Sequence, residues 1–305
     1  MAIPMTVVGG YLGAGKTTLV NAVLSSAAMR IAVVVNDFGA VNVDADLINS
    51  RSGDIIELTN GCVCCSLQNG MAAVMARLGA MDPPPDHILV EVSGVGDPAP
   101  VIAWADHPGF RRHGVVACAD AETVRDKATD RWVADTVVRQ LESADILHLT
   151  KTELVSSVDA VEVRDWLHSV AAGTPVYDDR EAVIARLLDP TPMRVRAVAE
   201  PIEPAHVAED THVTCSASTV GGVDLDRVRG FLADLPAEAV RVKGVLRTLQ
   251  SPDRRTVVNV AGRRVEITDD GPWIASHASH LVVICSGVAS VHSSLEADLA
   301  LALTS

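Results

Sequence analysis

Aromatic side chains are scarce, 3% of 305 residues, so any packed core must be aliphatic. Basic residues are outnumbered, 25 Lys and Arg against 39 Asp and Glu, for a formal net charge of -14. Nucleic acid and anionic membranes reward the opposite sign, so neither is expected as a partner. No uncharged apolar run reaches the roughly 18 residues that a membrane-spanning helix needs. The opening Met1–Val8 lacks a basic stretch followed by a long apolar one, so no secretory signal is expected and the chain reads as soluble and cytoplasmic. The six cysteines are not spread as a disulfide framework would spread them. Three of them, Cys62, Cys64 and Cys65, are crowded together, which suits metal or redox chemistry in a reducing compartment. Cys118, Cys215 and Cys285 sit in apolar runs and read as small buried hydrophobes.

What is present is ample apolar material, 48% of residues, in a chain long enough for two domains. In the first half, β-branched runs alternate with helical patterns. Thr6–Val8, Ile31–Val35, His87–Val92, Gly114–Cys118 and Ile146–Leu149 read as buried strands, and Lys16–Ser26, Met71–Leu78 and Ala134–Leu141 as helices. That alternation predicts an α/β domain with a parallel sheet flanked by helices over residues 1–185. A connection over 186–211 is punctuated by Pro190, Pro192, Pro201 and Pro204. Residues 212–305 read as a smaller α+β domain, with strands at His212–Cys215, Val240–Leu249, Thr256–Val260, Arg263–Ile267 and Leu281–Cys285. Its helices are expected at Asp224–Leu235 and Val291–Leu301.

The strongest motif is Gly10-Tyr11-Leu12-Gly13-Ala14-Gly15-Lys16-Thr17, which matches G-x(4)-G-K-[ST] directly after a strand and before a helix. Gly10, Gly13, Ala14 and Gly15 form the expected phosphate cradle. Lys16, Thr17 and Thr18 open the helix whose free N–H groups and dipole favour anions. Lys16 is expected on the β- and γ-phosphates and Thr17 on Mg²⁺. A P-loop enzyme also needs an acid at the end of a neighbouring strand, and Glu91 stands there; the alternative is a solvated strand end. Gly94 follows it, where the chain turns and could offer an N–H to a γ-phosphate. Asp37, after the second strand, is a candidate for binding metal or placing the attacking water, or else an ordinary turn aspartate. Thr150-Lys151-Thr152-Glu153 occupies the place where guanine-specific proteins carry N-K-x-D. Glu153 could accept from guanine N1 and N2, Lys151 could cover the base, and adenine stays open as the alternative.

In Gly61-Cys62-Val63-Cys64-Cys65, cysteines at i and i+2 of an extended segment project to one side, so two sulfurs can meet one ion with a third adjacent. Such a site suits Zn²⁺ and borderline ions; a redox pair and a buried cluster are the alternatives. Asp37, a histidine or water could complete it. His206, Asp210 and His212 could hold a second ion, although His212 alternates with apolar residues as a strand residue would.

These segments resemble the CobW-type family of P-loop GTPases, whose relatives act in metallocentre assembly. The likeness rests on Gly10–Thr17, Asn36–Gly39, Gly61–Cys65 as G-C-x-C-C, Glu91–Gly94 as E-x-x-G, Thr150–Glu153, and Arg241–Gly244 at the opening of the C-terminal domain. Asp37 stands where the family usually has glutamate, and the family's histidine-rich stretch is not seen. The resemblance implies Mg²⁺-dependent GTP hydrolysis, with Lys16, Asp37 and Glu91 serving catalysis. It also implies binding of Zn²⁺ or Co²⁺ by Cys62, Cys64 and Cys65 for delivery to a client metalloprotein. The C-terminal domain would recognise that client or a second copy in a homodimer. Two other readings use the same residues: a nucleotide-binding metal sensor or buffer, and a metalloenzyme activator with redox-type cysteines.

Overall fold

The computed structural model describes residues 2–35, 54–57, 66–193, 212–236, 238–261, 264–273, 278–286 and 292–304. Two compact units are present, one holding a seven-stranded sheet and the other a five-stranded sheet.

The first unit runs β1 (Ile3–Gly9), α1 (Lys16–Ser26), β2 (Ile31–Val35), β3 (Asp54–Glu57), α2 (Ser66–Gly79), β4 (His87–Glu91) and α3 (Pro98–Ile102). It continues with β5 (Phe110–Asp120), α4 (Ala134–Glu142), β6 (Ile146–Thr150), α5 (Ser157–Val170), β7 (Val176–Tyr177) and α6 (Arg180–Leu188). Strand order is β3-β2-β4-β1-β5-β6-β7, and every pairing is parallel. The cause is legible in β2, Ile-Ala-Val-Val-Val, which is buried at all five positions. A strand covered on both faces shows no alternation, and its connections must cross over through helices. On one face Met71, Met75 and Leu78 of α2 and Val101 and Ile102 of α3 pack on Val7, Val34, Ile88 and Val90. On α1 the buried stripe Leu19, Val20, Val23 and Leu24 recurs at helical spacing, and α6 packs beside it.

One polar chain crosses this apolar sheet. The Thr6 hydroxyl lies 2.8 Å from His87 Nε2 and 2.9 Å from His113 Nδ1, and His113 Nε2 lies 2.7 Å from the Asp189 carbonyl. A carbonyl only accepts, so His113 carries its proton on Nε2 and accepts from Thr6 at Nδ1; Thr6 in turn accepts from His87 Nε2–H. Burial, reinforced by the nearby His113 and Arg111, pushes His87 down to about 3. Burial also lowers His113, against the opposing effect of its bond to Asp189. Both rings are therefore neutral.

Helix α6 runs across residue 185, and Met193 is 2% exposed and packed beside Gly114. The described part of this unit thus extends to Met193; residues 194–211, in the expected connection, lie outside the described residues. β3 and β7 are strands that the sequence pattern does not predict.

The second unit contains β8 (His212–Thr219), α7 (Leu225–Ala233), β9 (Ala239–Leu246), β10 (Arg254–Ala261), β11 (Arg264–Pro272), β12 (Ser279–Ser286) and α8 (His292–Ala302). Its order is β11-β10-β9-β12-β8, all antiparallel. Val242 and Leu246, Val258 and Val260, and Leu281 and Val283 lie at alternate positions and pack with Val228, Leu232, Leu295 and Leu299 of the two helices. The Asp224 side chain accepts from the Asp226 N–H and so caps α7. No helix among the described residues is long and apolar enough to cross a membrane.

Candidate functional site

The chain leaves β1 at Gly9 and turns through three glycines of positive φ, Gly10, Gly13 and Gly15, before α1 begins at Lys16. Gly10 is needed twice over. Its φ is 125°, and a Cβ there would lie 2.4 Å from the Cys118 carbonyl oxygen. Gly15 precedes α1 in the left-handed region and supplies no side-chain cap, so the first turn's N–H groups keep their capacity for an external acceptor. Lys16, 7% exposed, folds back over the loop with Nζ 2.9 Å from the Gly10 carbonyl and 3.3 Å from that of Tyr11. Its ammonium therefore sits on the cradle.

Next along α1, the Thr17 hydroxyl donates to Glu91 Oε1 at 2.7 Å. β4 pairs directly with β1, which brings the carboxylate at its end beside the phosphate loop. Glu91 is 1% exposed. A carboxylate buried to that degree is costly without cationic or hydrogen-bonding partners, and the Thr17 hydroxyl is one of them. Two hard oxygen donors side by side at a phosphate loop fit Mg²⁺ in chemistry. Gly94 follows in a tight loop against the phosphate loop, where a Cβ would come within 2.4 Å of Leu12 Cδ2 and 2.8 Å of its Cα. The Gln140 amide on α4 donates to the carbonyls of Gly94 at 3.1 Å and Gly96 at 2.7 Å.

At the end of β6, the Thr150 hydroxyl lies 2.9 Å from the Ala14 carbonyl and 3.2 Å from that of Ala119. It ties β6 to the phosphate loop. Lys151 adopts φ 58°, the one positive φ outside glycine among the described residues, which costs about 1 kcal/mol. Its ammonium lies 2.6 Å from Asp120 Oδ2, and Asp120 Oδ1 accepts from the Glu122 N–H. A charge-assisted bond of this kind is worth about 1.5–3 kcal/mol and offsets that strain. Glu153 is exposed in the short turn after Lys151.

Of the residues singled out from sequence, Gly10, Gly13, Ala14, Gly15, Lys16, Thr17, Thr18, Glu91, Gly94, Thr150, Lys151 and Glu153 collect at the carboxyl edge of β1, β4 and β6. Asp37, Cys62, Cys64, Cys65, His206 and Asp210 lie outside the described residues, as does the side chain of His212. The other three cysteines are buried. Burial pushes the Cys118 thiol up to about 12 and the Cys285 thiol up to about 11, and raises Cys215 as well, so none of them offers a ready thiolate.

Two residues at this edge escape the motif reading, Asp120 and Gln140. Each carries a faint signal: Asp120 is an acid ending a buried strand, and Gln140 is an amide on the apolar stripe Val133, Val137, Leu141.

Two family models match the chain: CobW/HypB/UreG, nucleotide-binding domain, over residues 4–178, and Cobalamin synthesis protein cobW C-terminal domain, over residues 213–303. The chain is similar to a protein of Sinorhizobium sp named zinc chaperone CobW, 29% identical over 329 aligned positions that cover 92% of either chain. It is 35% identical over 185 positions to zinc chaperone YjiA of Escherichia coli strain K12, 57% of either chain. A Dictyostelium discoideum protein named zinc-regulated GTPase metalloprotein activator 1 is 30% identical over 197 positions, 50% of this chain and 41% of its own.

Proposed function

Because the chain belongs to the CobW/HypB/UreG family, we propose that it is a GTP-hydrolysing metallochaperone, binding a divalent transition metal through Cys62, Cys64 and Cys65 and delivering it to a client metalloprotein. The observation that carries the hydrolytic half is the 2.7 Å contact between Thr17 and Glu91, which unites the phosphate loop with the end of β4. The names of the relatives, zinc chaperone and zinc-regulated activator, support zinc as the cargo, with cobalt the chemical alternative.

In this mechanism the loop N–H groups and the first turn of α1 bind the phosphates. Lys16 exchanges the Gly10 and Tyr11 carbonyls for β- and γ-phosphate oxygens. Thr17 and Glu91 would hold Mg²⁺, which would supply neutralisation of the phosphate charge. Thr150 keeps the Ala14 peptide fixed to β6 as the triphosphate is seated. Lys151 and Glu153 face the base, with Asp120 holding the lysine, and Asp37 positions the attacking water. Glu153 accepts from the guanine N1 and N2 donors, which adenine lacks.

The γ-phosphate couples hydrolysis to cargo. Its contacts order the segments carrying Asp37 and Gly61–Cys65 into one arrangement that completes the metal site, and hydrolysis relaxes them. Linkage requires metal to tighten GTP by the same factor. The test is a Co²⁺ titration of reduced, metal-free protein with Mg²⁺ and either GTP or GDP, followed by thiolate-to-cobalt absorbance. Stoichiometric binding that is tighter with GTP and lost in Cys64→Ala is expected. Equal affinity in both nucleotide states, or no thiolate band in either, would contradict the coupling.

A further inference from the structure

Gln140 is 1% exposed, deep in the interface between α4 and the sheet, at a position where the neighbouring stripe of Val133, Val137 and Leu141 is apolar. An apolar side chain would pack there at lower cost. The amide spends both N–H groups on one loop, the carbonyls of Gly94 and Gly96. Its Oε1 is buried and has no hydrogen-bond partner among the described residues, which is destabilising. The donor half is thus kept although the acceptor half destabilises the fold.

The loop it holds has little freedom on its other sides. Gly94 is pressed against Leu12 of the phosphate loop so closely that a Cβ would collide with the Leu12 backbone, and Gly96 lies against Val92 with its own N–H donated to Ser93 at 2.8 Å. The segment from Ser93 to Gly96 is therefore clamped between the phosphate loop and α4. The next strand after α4 is β6, which ends at Thr150 and is followed by Lys151.

We infer that Gln140 is a positioning residue for the γ-phosphate, fixing the Gly94–Gly96 loop against Leu12 in the conformation that distinguishes a nucleoside triphosphate from a diphosphate. The inference rests on the GTPase reading and adds to it the element that the triphosphate must find in place. Gln140 touches no reacting atom in this scheme; it acts through the two carbonyls.

The test compares wild type, Gln140→Met and Gln140→Glu for affinity toward GDP and a non-hydrolysable GTP analogue with Mg²⁺, alongside thermal melting. Methionine keeps the volume and removes both donors, and a glutamate carboxylate would face two carbonyls. The analogue should weaken roughly tenfold in Gln140→Met, the scale of one or two neutral hydrogen bonds, and at least as much in Gln140→Glu, while GDP affinity holds within about twofold. Parallel weakening of both nucleotides, or an unchanged ratio in a folded variant, would overturn the inference. Should neither variant fold, the ¹⁵N-labelled side-chain amide of Gln140 in wild type provides the reading. Its resonances should shift between the GDP and analogue states, and an unmoved pair would overturn the proposal. A wild type that binds neither nucleotide would end the GTPase reading, and this inference with it.

Discussion

At the carboxyl ends of β1 and β4, Lys16, Thr17 and Glu91 meet around a loop made of backbone amides. Further back along β1 and β4, and on the neighbouring β5, Thr6, His87 and His113 form a second buried polar cluster, ending on the Asp189 carbonyl. Lys16 and Glu91 in the first cluster and Thr6, His87 and His113 in the second are all buried against the same aliphatic sheet. They differ in what satisfies them. In the histidine chain the Thr6 hydroxyl and both nitrogens of His113 are engaged by neutral groups of the protein, so the cluster is complete without a ligand. In the phosphate-loop cluster an ammonium rests on carbonyls that a phosphate can replace, and a carboxylate rests on a hydroxyl that a cation can join. Burial of polar groups alone does not mark a function; buried charges gathered beside a phosphate loop at the carboxyl edge of a parallel sheet do.

The comparison can be broken most severely at Glu91. Glu91→Gln keeps the shape and the bond to Thr17 but removes the charge, and GTP turnover should fall about 100-fold or more, as when a preorganised electrostatic group is lost. The melting temperature should hold or rise, since a buried carboxylate is removed. Thr6→Val does the reverse. It leaves His87 Nε2–H and His113 Nδ1 without their bridge and should cost about 3 kcal/mol in urea unfolding, with turnover unchanged.

Acid sharpens the same contrast. His87 and His113 are held below the usual histidine range by burial, with Arg111 beside both and Arg186 near His113. The unfolded chain binds their protons near pH 6.5 and the folded chain does not, so their contribution is intact above that pH. It is lost as pH falls below about 6.5, for His87 at about 1.4 kcal/mol per unit toward its folded value of about 3, with His113 adding to the loss in the same direction. Denaturation midpoints at pH 7.5, 6.5 and 5.5 check this, and a flat profile across them would contradict it. The smallest effect is expected at Thr150. Thr150→Val unties β6 from the Ala14 carbonyl and should weaken nucleotide binding about fivefold, the scale of one neutral hydrogen bond, whereas Thr150→Asn should retain binding.

The phosphate loop is legible from sequence because its chemistry is local: glycines, a lysine and a threonine at fixed spacing, between a strand and a helix. Glu91 is legible because it ends an apolar run. The histidine chain is not, since it joins Thr6 to residues 81 and 107 positions away. Asp120 and Gln140 escape for the same reason, with partners 31 and 44 to 46 positions distant. β3 has only Ile55 and Ile56 between two acids, and β7 is two residues long, so neither presents a pattern. The parallel sheet is legible in the unbroken apolar runs, and the second sheet in its alternation.

The most direct test of the contrast between the two clusters is GTP and ATP hydrolysis with Mg²⁺ at pH 7.5 by wild type, Glu91→Gln and Thr6→Val, measured beside their unfolding midpoints. GTP should be hydrolysed in preference to ATP by wild type, with Glu91→Gln folded but inactive and Thr6→Val less stable but active. Equal loss of turnover in both variants, or preference for ATP, would contradict the account.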